Sequence, residues 1–241
     1  MTRDHNMEGR ARRAPQAVFG LAALTAFAGV GGVGGVGAEA NPAHAASAHR
    51  ASPAMACSIC GHNLIANPGA EAGRGTDSDS VVKVPDWKAT GAFTAAQYAW
   101  GGGDLSATTK GPKDRGKNYF YGGPSALEST GTQIVDLAAA PRPGTTYVLA
   151  GWLGGYADQG DHCQLSATFE TATGKNLGVA KIGPVTASQR HDTSELLYRG
   201  VGGKVPTGTH RVVLTMLMVL ETGGDNDGMA DNLSLVFTAP K

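Results

Sequence analysis

The 241-residue chain has no excess of charge of either sign, with 20 Lys plus Arg against 20 Asp plus Glu. From residue 46 onward the same counts are 16 and 17, which leaves a net charge of −1. Such a balance argues against a protein that binds nucleic acid or anionic membranes through electrostatic attraction. We therefore expect no nucleic-acid partner.

Helical periodicity is also missing, because no segment after residue 46 keeps apolar residues at a spacing of 3.6 for three turns. The 36 glycines disfavour helices further. The chain instead contains short alternating or apolar runs separated by Gly, Pro and Asn, at residues 63–66, 81–87, 93–100, 117–121, 132–137, 147–153, 163–170, 177–182, 195–199, 211–220 and 232–237. This pattern predicts one all-β domain over residues 63–238, an antiparallel β-sandwich of the jelly-roll type.

Two runs show the alternation best. Leu165, Ala167 and Phe169 alternate with polar residues, which predicts one face toward the core and one toward water. The run 211–220 is apolar at nearly every position, which predicts a central strand that is covered on both faces.

Cysteine is scarce, and the three residues present are Cys57, Cys60 and Cys163. Cys57 and Cys60 either close on each other or one of them pairs with Cys163, and an odd count leaves one thiol over. A redox Cys-x-x-Cys would need a βαβ context, and a zinc site would need a second ligand pair at the right spacing. The sequence shows neither, so we expect a structural role, with a disulfide between Cys57 and Cys60 as the leading candidate.

Long apolar runs are absent except near the N-terminus, where an uncharged stretch at 17–38 follows Arg3, Arg10, Arg12 and Arg13. Small residues at 43–45 then offer a cleavage site. This layout predicts a secretory signal peptide at 1–45, a disordered leader at 46–62 and a secreted, extracellular protein without membrane association after cleavage. A membrane span is disfavoured because Gly and Ala dominate the run and no positive residues follow it. Sec and Tat export both stay open.

An acid-rich stretch closes the chain. Asp225, Asp227 and Asp231 lie among glycines and lead into an alternating run at 232–237. Carboxylate oxygens on a tight turn suit Ca²⁺. An EF-hand is rejected, since the closing Glu is missing and a strand follows where a helix should. The alternative interpretation is a solvated acidic hairpin turn.

Five segments carry a family resemblance, and they are residues 63–71, 84–87, 111–123, 151–156 and 230–235. With these segments the chain resembles the secreted bacterial β-sandwich domains of the galactose-binding-like, carbohydrate-binding-module type. The resemblance covers roughly residues 63–237 and is more specific for fold than for ligand.

The resemblance implies a structural Ca²⁺ between the opening segment and the last strand. Carried over to this sequence, the side-chain ligands are Glu71 and Asp231, and Asp227 is a further candidate because it lies near Asp231 in the chain. Such an ion would join the two ends of the domain. An ordinary turn carboxylate is the alternative for Glu71.

A module that stacks sugars needs exposed aromatic rings. The candidate ligand-binding residues are Trp100, Tyr119, Tyr121 and Tyr156, with Asp158 and Asp161 flanking a glycine turn nearby. Trp87 and Trp152 are predicted to lie in the core.

The sequence contains no nucleophile elbow, no His-Glu-x-x-His motif and no plausible catalytic triad. We therefore predict a secreted, non-catalytic module that binds a glycan or a cell-surface polysaccharide. A structural or adhesive cell-envelope protein is the alternative, and a secreted hydrolase is the third hypothesis.

Overall fold

The computed structural model describes residues 57–100 and 104–241. The predicted signal peptide at 1–45 and residues 46–56 of the predicted leader lie outside the described residues. Within the described residues there is no helix long and apolar enough to cross a membrane.

Ten antiparallel strands form two five-stranded sheets. The strands are β1 (Lys88–Thr90), β2 (Thr94–Gln97), β3 (Asn118–Pro124), β4 (Glu128–Asp136), β5 (Thr146–Gly155), β6 (His162–Glu170), β7 (Asn176–Ile182), β8 (Glu195–Lys204), β9 (Arg211–Val219) and β10 (Asp225–Thr238). The first sheet has the order β1-β4-β9-β6-β7 and the second β2-β3-β10-β5-β8. The predicted all-β, antiparallel jelly-roll sandwich is therefore confirmed.

The core lies between the two sheets and follows the alternation in the sequence. Leu165, Ala167 and Phe169 of β6 are buried in it, as predicted. Strand β9 is central, between β4 and β6, but only one of its faces is buried. Val213 and Leu217 on the other face stay half-exposed. The prediction that both faces are covered is wrong, because no further layer packs on that face within the described residues.

The two ends of the described domain lie side by side. The Asn63 side chain donates to the Leu233 carbonyl at 2.9 Å and accepts from the Leu235 N–H at 3.0 Å. Gly61 N–H donates to the Phe237 carbonyl at 2.9 Å. Residues 57–62, predicted as part of a disordered leader, are therefore folded as part of the described domain. Cys57 and Cys60 form a disulfide with an S–S distance of 2.00 Å, and Cys163 is a buried free thiol.

Other boundaries differ from those predicted. Residues 81–87 form no strand, because the chain turns at Asp86, which has a φ of 68°, and the strand begins only at Lys88. Strand β10 begins at Asp225, so the acid-rich stretch lies within the strand rather than in a turn before it. Trp87 is buried in the core, as predicted.

Candidate functional site

The outer face of the second sheet, which points away from the core, carries an aromatic cluster. Along β3, Phe120 packs in the core while Tyr119 and Tyr121 point to the outer face. Leu105, from the connection between β2 and β3, is fully buried against them. The rings of Tyr98 and Tyr119 lie with their centroids 5.0 Å apart. The β2–β3 connection crosses this face as far as β8, where the Leu196 N–H donates to the Lys110 carbonyl at 2.9 Å, and it leaves residues 148–152 of β5 and 198–202 of β8 uncovered.

The uncovered part is a flat surface made by three cross-strand pairs, which we call the platform. Trp152 pairs with Tyr198, Ala150 with Gly200, and Val148 with Gly202. The Trp152 and Tyr198 rings meet edge to face with centroids 5.9 Å apart, and Tyr198 is 55% exposed. A Cβ atom at Gly200 would lie 3.4 Å from the Tyr198 hydroxyl, so the glycine leaves room for the tyrosine side chain. The ring pair thus stands at one end of the platform, beside Ala150, which is 2% exposed, and the exposed Gly200 and Gly202.

Near the aromatic cluster lies a pair of carboxyl groups, Asp104 and Asp227. They lie close enough that each carboxyl group affects the pKa of the other. Tyr121 donates its hydroxyl to Asp227 Oδ1 at 3.2 Å, and the Gln159 amide, oriented to satisfy its neighbours, donates to Asp227 Oδ2 at 2.9 Å. Burial, together with the Asp104 carboxylate, raises the pKa of Asp227 to about 8. Near neutral pH the two carboxyl groups therefore share a proton.

Two further buried polar residues hold this region in shape. Asp161 accepts hydrogen bonds from the N–H groups of Glu221, Thr222 and Asp227. Arg190 is fully buried, and its guanidinium donates to the carbonyls of residues 157, 159 and 193 at 2.7–2.9 Å. These groups fix the loop after β5 against the start of β10.

A second group of oxygens surrounds Asp231, a fully buried carboxylate on β10. Its Oδ2 accepts the Tyr98 hydroxyl at 2.7 Å. Burial raises the pKa of Asp231 to about 7, and the Glu71 carboxylate adds to this rise. A Cβ atom on Gly69 would lie 3.2 Å from Asn232 Oδ1 and 3.3 Å from Asp231 Oδ1, so the glycine leaves a small cradle between oxygen atoms.

The chemistry of this second group fits a hard cation. Carboxylate and amide oxygens are the donors that Ca²⁺ prefers, and the residues that would hold it are Glu71, Asp231 and Asn232. Asp227, the third ligand candidate from the sequence, lies with Asp104 and Tyr121 instead. In the part of the chain that the structure describes, no three His, Cys, Asp or Glu side chains come together as a metal site.

The structure separates the predicted ligand-binding residues. Tyr119 and Tyr121 are only 1% and 7% exposed, so neither offers a ring face for stacking. Trp100 is half-buried against the aromatic cluster. Asp161 is buried and structural, as described above. Tyr156 and Asp158 are exposed on the loop after β5.

The platform contains the residues that sequence reasoning missed. Trp152 is predicted to lie in the core, but it is half-buried on the outer face. Successive residues of a strand point to opposite faces, and Leu149 and Leu153 of β5 point into the core, so Trp152 points outward. Tyr198 was not singled out at all. Its signal in the sequence is weak, namely a tyrosine followed by glycines at positions 200 and 202.

Fold and site together define an antiparallel jelly-roll β-sandwich with an aromatic ring pair on the outer face of one sheet. No protein-family model matches the chain, and no curated protein does. Among solved structures, it is similar to TmCBM61 in complex with β-1,4-galactotriose, with 16% identity over 73% of this chain and 99% of that chain, at a TM-score of 0.43. It is also similar to the CBM22-1 xylan-binding domain of Paenibacillus barcinonensis Xyn10C, with 9% identity over 68% and 93% of the two chains, at 0.39.

Enzymes are also among the solved structures to which the chain is similar. The Stig cyclase Fisc from Fischerella sp. TAU is 14% identical over 73% of this chain and 97% of that chain, at a TM-score of 0.49. The enzymatically active domain of bacteriophage CBA120 tailspike protein 4 is 15% identical at a TM-score of 0.47, and this chain spans 21% of its length. At these identities the likenesses concern the fold alone.

Proposed function

We propose that the protein is an exported, non-catalytic carbohydrate-binding module that holds a glycan chain on the platform. The observation that carries this proposal is the Trp152–Tyr198 ring pair, which stands beside Gly200 and Gly202 on the outer face of the second sheet. An uncovered aromatic pair on a sheet face offers apolar ring surface to the C–H bonds of a sugar, and the adjacent small side chains leave space for the rest of the chain.

The dimensions of the platform suit a short stretch of polysaccharide. Residues 148 to 152 extend over about 13 Å of strand β5. Their partners on β8 add Gly200 and Gly202, and β10 places Ser234 and Val236 beside them on the other side of β5. Because the two aromatic rings are inclined by 66° rather than coplanar, the platform favours a single chain over a flat crystalline surface.

Several features support the absence of catalysis. Asp104 and Asp227 lie close enough to affect each other's pKa, whereas the paired carboxyl groups of glycoside hydrolases stand about 5–9.5 Å apart on either side of the scissile bond. Asp161 is committed to three backbone N–H groups. The buried carboxylates of the outer face therefore serve the scaffold.

Export follows from the layout of residues 1–45, which implies cleavage by a signal peptidase and delivery outside the cell. N-terminal sequencing of protein recovered from the culture medium tests this step. A chain that begins at Ala46 supports it, and an uncleaved chain retained in the cells contradicts it.

The platform is tested by affinity electrophoresis and calorimetry against a panel of soluble polysaccharides that includes β-1,4-galactan and xylan. We expect at least one to bind the wild type. Trp152→Ala and Tyr198→Ala each remove a stacking surface, and we expect each to weaken binding by about tenfold or more.

The matched control is Val179→Ala, which removes an exposed apolar side chain from the first sheet and leaves the platform intact. We expect it to bind like the wild type. Binding that survives both aromatic substitutions would contradict the platform as the site, and absence of binding to any glycan in the panel would contradict the function.

A further inference from the structure

A cavity of about 430 Å³ lies away from the platform, where β2 ends and β3 begins. It is lined by Glu71, Gly73, Arg74, Gln97, Lys117 and Asn118, and we call it the Gln97 pocket. None of these six residues belongs to β5 or β8, the strands that form the platform.

The walls of the pocket are fixed by internal hydrogen bonds. Asn118 is 4% exposed, and its amide nitrogen donates to the carbonyls of Ala70 and Gly73 at 2.9 and 3.0 Å. Gln97 Nε2 donates to the Gly75 carbonyl at 2.8 Å. Glu71 Oε1 accepts the N–H groups of Lys117 and Asn118 at 2.9 and 2.7 Å. The pocket is therefore preorganised, which lowers the entropic cost of binding a ligand there.

Several polar atoms of the pocket are left over. Among residues 57–100 and 104–241, Gln97 Oε1 and Lys117 Nζ have no hydrogen-bond partner, and the only partner of Arg74 is the exposed Asp77. The lining thus offers acceptors and donors side by side. It includes no aromatic ring and carries charges of both signs, Glu71 opposite Arg74 and Lys117.

This chemistry selects a ligand class. The lining carries cations and a carboxylate, but Arg74, Lys117 and Glu71 are all exposed, so water screens their charges and no buried charge selects an ionic ligand. A hydroxyl group both donates and accepts, and therefore suits neighbouring amide oxygen and ammonium groups. We propose that the Gln97 pocket is a second binding site, separate from the platform, that takes one uncharged, hydroxyl-rich sugar unit. This inference shares with the proposed function only the class of ligand.

The two sites would read different features of a glycan. The platform contacts ring faces and tolerates many sugars, whereas the pocket depends on hydrogen bonds and discriminates between hydroxyl configurations, because an unmatched hydroxyl leaves a polar group without a partner. Sites of this kind on one domain raise the apparent affinity for a branched or multi-chain glycan.

The test is an NMR titration of the full mature protein with single sugars: neutral hexoses and pentoses, glucuronate as the anionic arm and glucosamine as the cationic arm. We expect a neutral sugar to shift the amide resonances of residues 71–75 and 117–118. Lys117→Met and Gln97→Leu each remove one ligand contact, and we expect each to weaken that binding by about tenfold. Lys113→Met, an exposed lysine outside the pocket, keeps wild-type affinity.

Trp152→Ala separates this proposal from the proposed function. If the pocket is a site, single-sugar binding persists in Trp152→Ala and is lost in Lys117→Met, whether or not the platform binds polysaccharide. The inference is overturned if the neutral sugars leave residues 71–75 and 117–118 unshifted, if only a charged sugar binds there, or if Lys117→Met and Gln97→Leu both bind as the wild type does.

Discussion

At the scale of single residues, the outer face depends on buried polar groups that are held by hydrogen bonds from several segments of the chain. Asp161, Arg190 and Asp227 are 0–5% exposed, and each meets partners from distant parts of the chain. Burying such groups is costly unless they are paired, so their partners decide whether they stabilise the fold. Replacing one such side chain therefore has a predictable effect on the free energy of unfolding.

The carboxyl pair makes stability depend on pH. The pKa of Asp227 is raised in the fold by burial and by Asp104 to about 8, from an ordinary value near 4. The folded state therefore holds a proton that the unfolded chain releases. The contribution of this proton to the free energy of unfolding is fully present below pH 4 and is lost as the pH rises to about 8. The free energy of unfolding falls by at most about 1.4 kcal/mol per pH unit in this range. Urea denaturation at a series of pH values measures this slope.

The variant Asp227→Asn keeps the shape and removes the ionisation. We expect its unfolding free energy to fall less steeply between pH 4 and 8 than that of the wild type, while Asp158→Asn, at an exposed carboxylate, retains the wild-type slope. Equal slopes for wild type and Asp227→Asn would rule out the shared proton.

Arg190 stabilises through its three carbonyl contacts. Arg190→Met keeps the aliphatic stem but leaves those carbonyls buried without donors, and we expect a loss of about 3–5 kcal/mol in unfolding free energy. Arg74→Met is the control, because the Arg74 side chain is 80% exposed and its pairing with Asp77 contributes little. Chemical denaturation of both variants measures the difference. A loss below about 1 kcal/mol for Arg190→Met would mean that water satisfies the carbonyls.

At the scale of strands, β10 is the element on which both oxygen groups depend. Its register slips between Asn226 and Met229, where it pairs with β3. The fully buried Asn226 side chain donates to the carbonyls of Ala126 and Met218 at 3.0 Å each and accepts from the Gly228 N–H at 3.2 Å. A side chain thus replaces the ladder bonds that the bulge interrupts.

Asn226→Ala removes all three of these bonds. We expect unfolding free energy to fall by about 2–4 kcal/mol, because two carbonyls and one N–H stay buried without partners. Asn176→Ala is a matched control, since Asn176 is exposed and caps only its own turn at Gly178, so we expect a change within about 0.5 kcal/mol. Similar losses in the two variants, measured by urea denaturation, would show that the bulge does not depend on Asn226.

The strands themselves were predictable where side chains alternate, as in β6, because burial on one face imposes a period of two. Strand β1 was not predictable in this way, because its three residues, Lys88, Ala89 and Thr90, give no strong apolar signal. The start of β10 reads as a turn because Asp, Asn and Gly favour turns locally, and long-range partners such as Asp161 override that preference. The residues near Asp227 in the sequence do not indicate which distant residues will contact it.

The candidate site was harder to predict for the same reason. The pairing of Trp152 with Tyr198, and of Asp104 with Asp227, depends on strand register and on a loop that crosses the sheet. Neither follows from spacing along the chain. Glu71 and Asp231 were found because a family resemblance placed them, and the structure puts Glu71 close enough to affect the pKa of Asp231.

At the scale of the whole molecule, the domain is closed where its two ends meet. The segment around Asn63 runs beside the second half of β10, and β3 pairs with the first half. Glu71 and Asp231 lie at this junction, and the cradle next to Gly69 is bounded by oxygen atoms of β10. Repulsion between two carboxylates there costs stability, and a cation that binds both converts it to attraction.

We therefore expect Ca²⁺ to raise the thermal midpoint of the purified protein relative to the protein in EDTA. Calcium at about 100 times its dissociation constant would add about 2.7 kcal/mol, roughly 5–10 °C for a domain of this size. Mg²⁺ at the same concentration should raise the thermal midpoint much less, because it requires a stricter octahedral geometry and gives up its water reluctantly.

Glu71→Gln and Asp231→Asn should lose the calcium shift, whereas Asp227→Asn should keep it, since that carboxyl group lies with Asp104 instead. Coincident melting curves in calcium and EDTA would show that hydrogen bonds alone join the two ends, and a shift lost only in Asp227→Asn would place the ion at the Asp104–Asp227 pair instead.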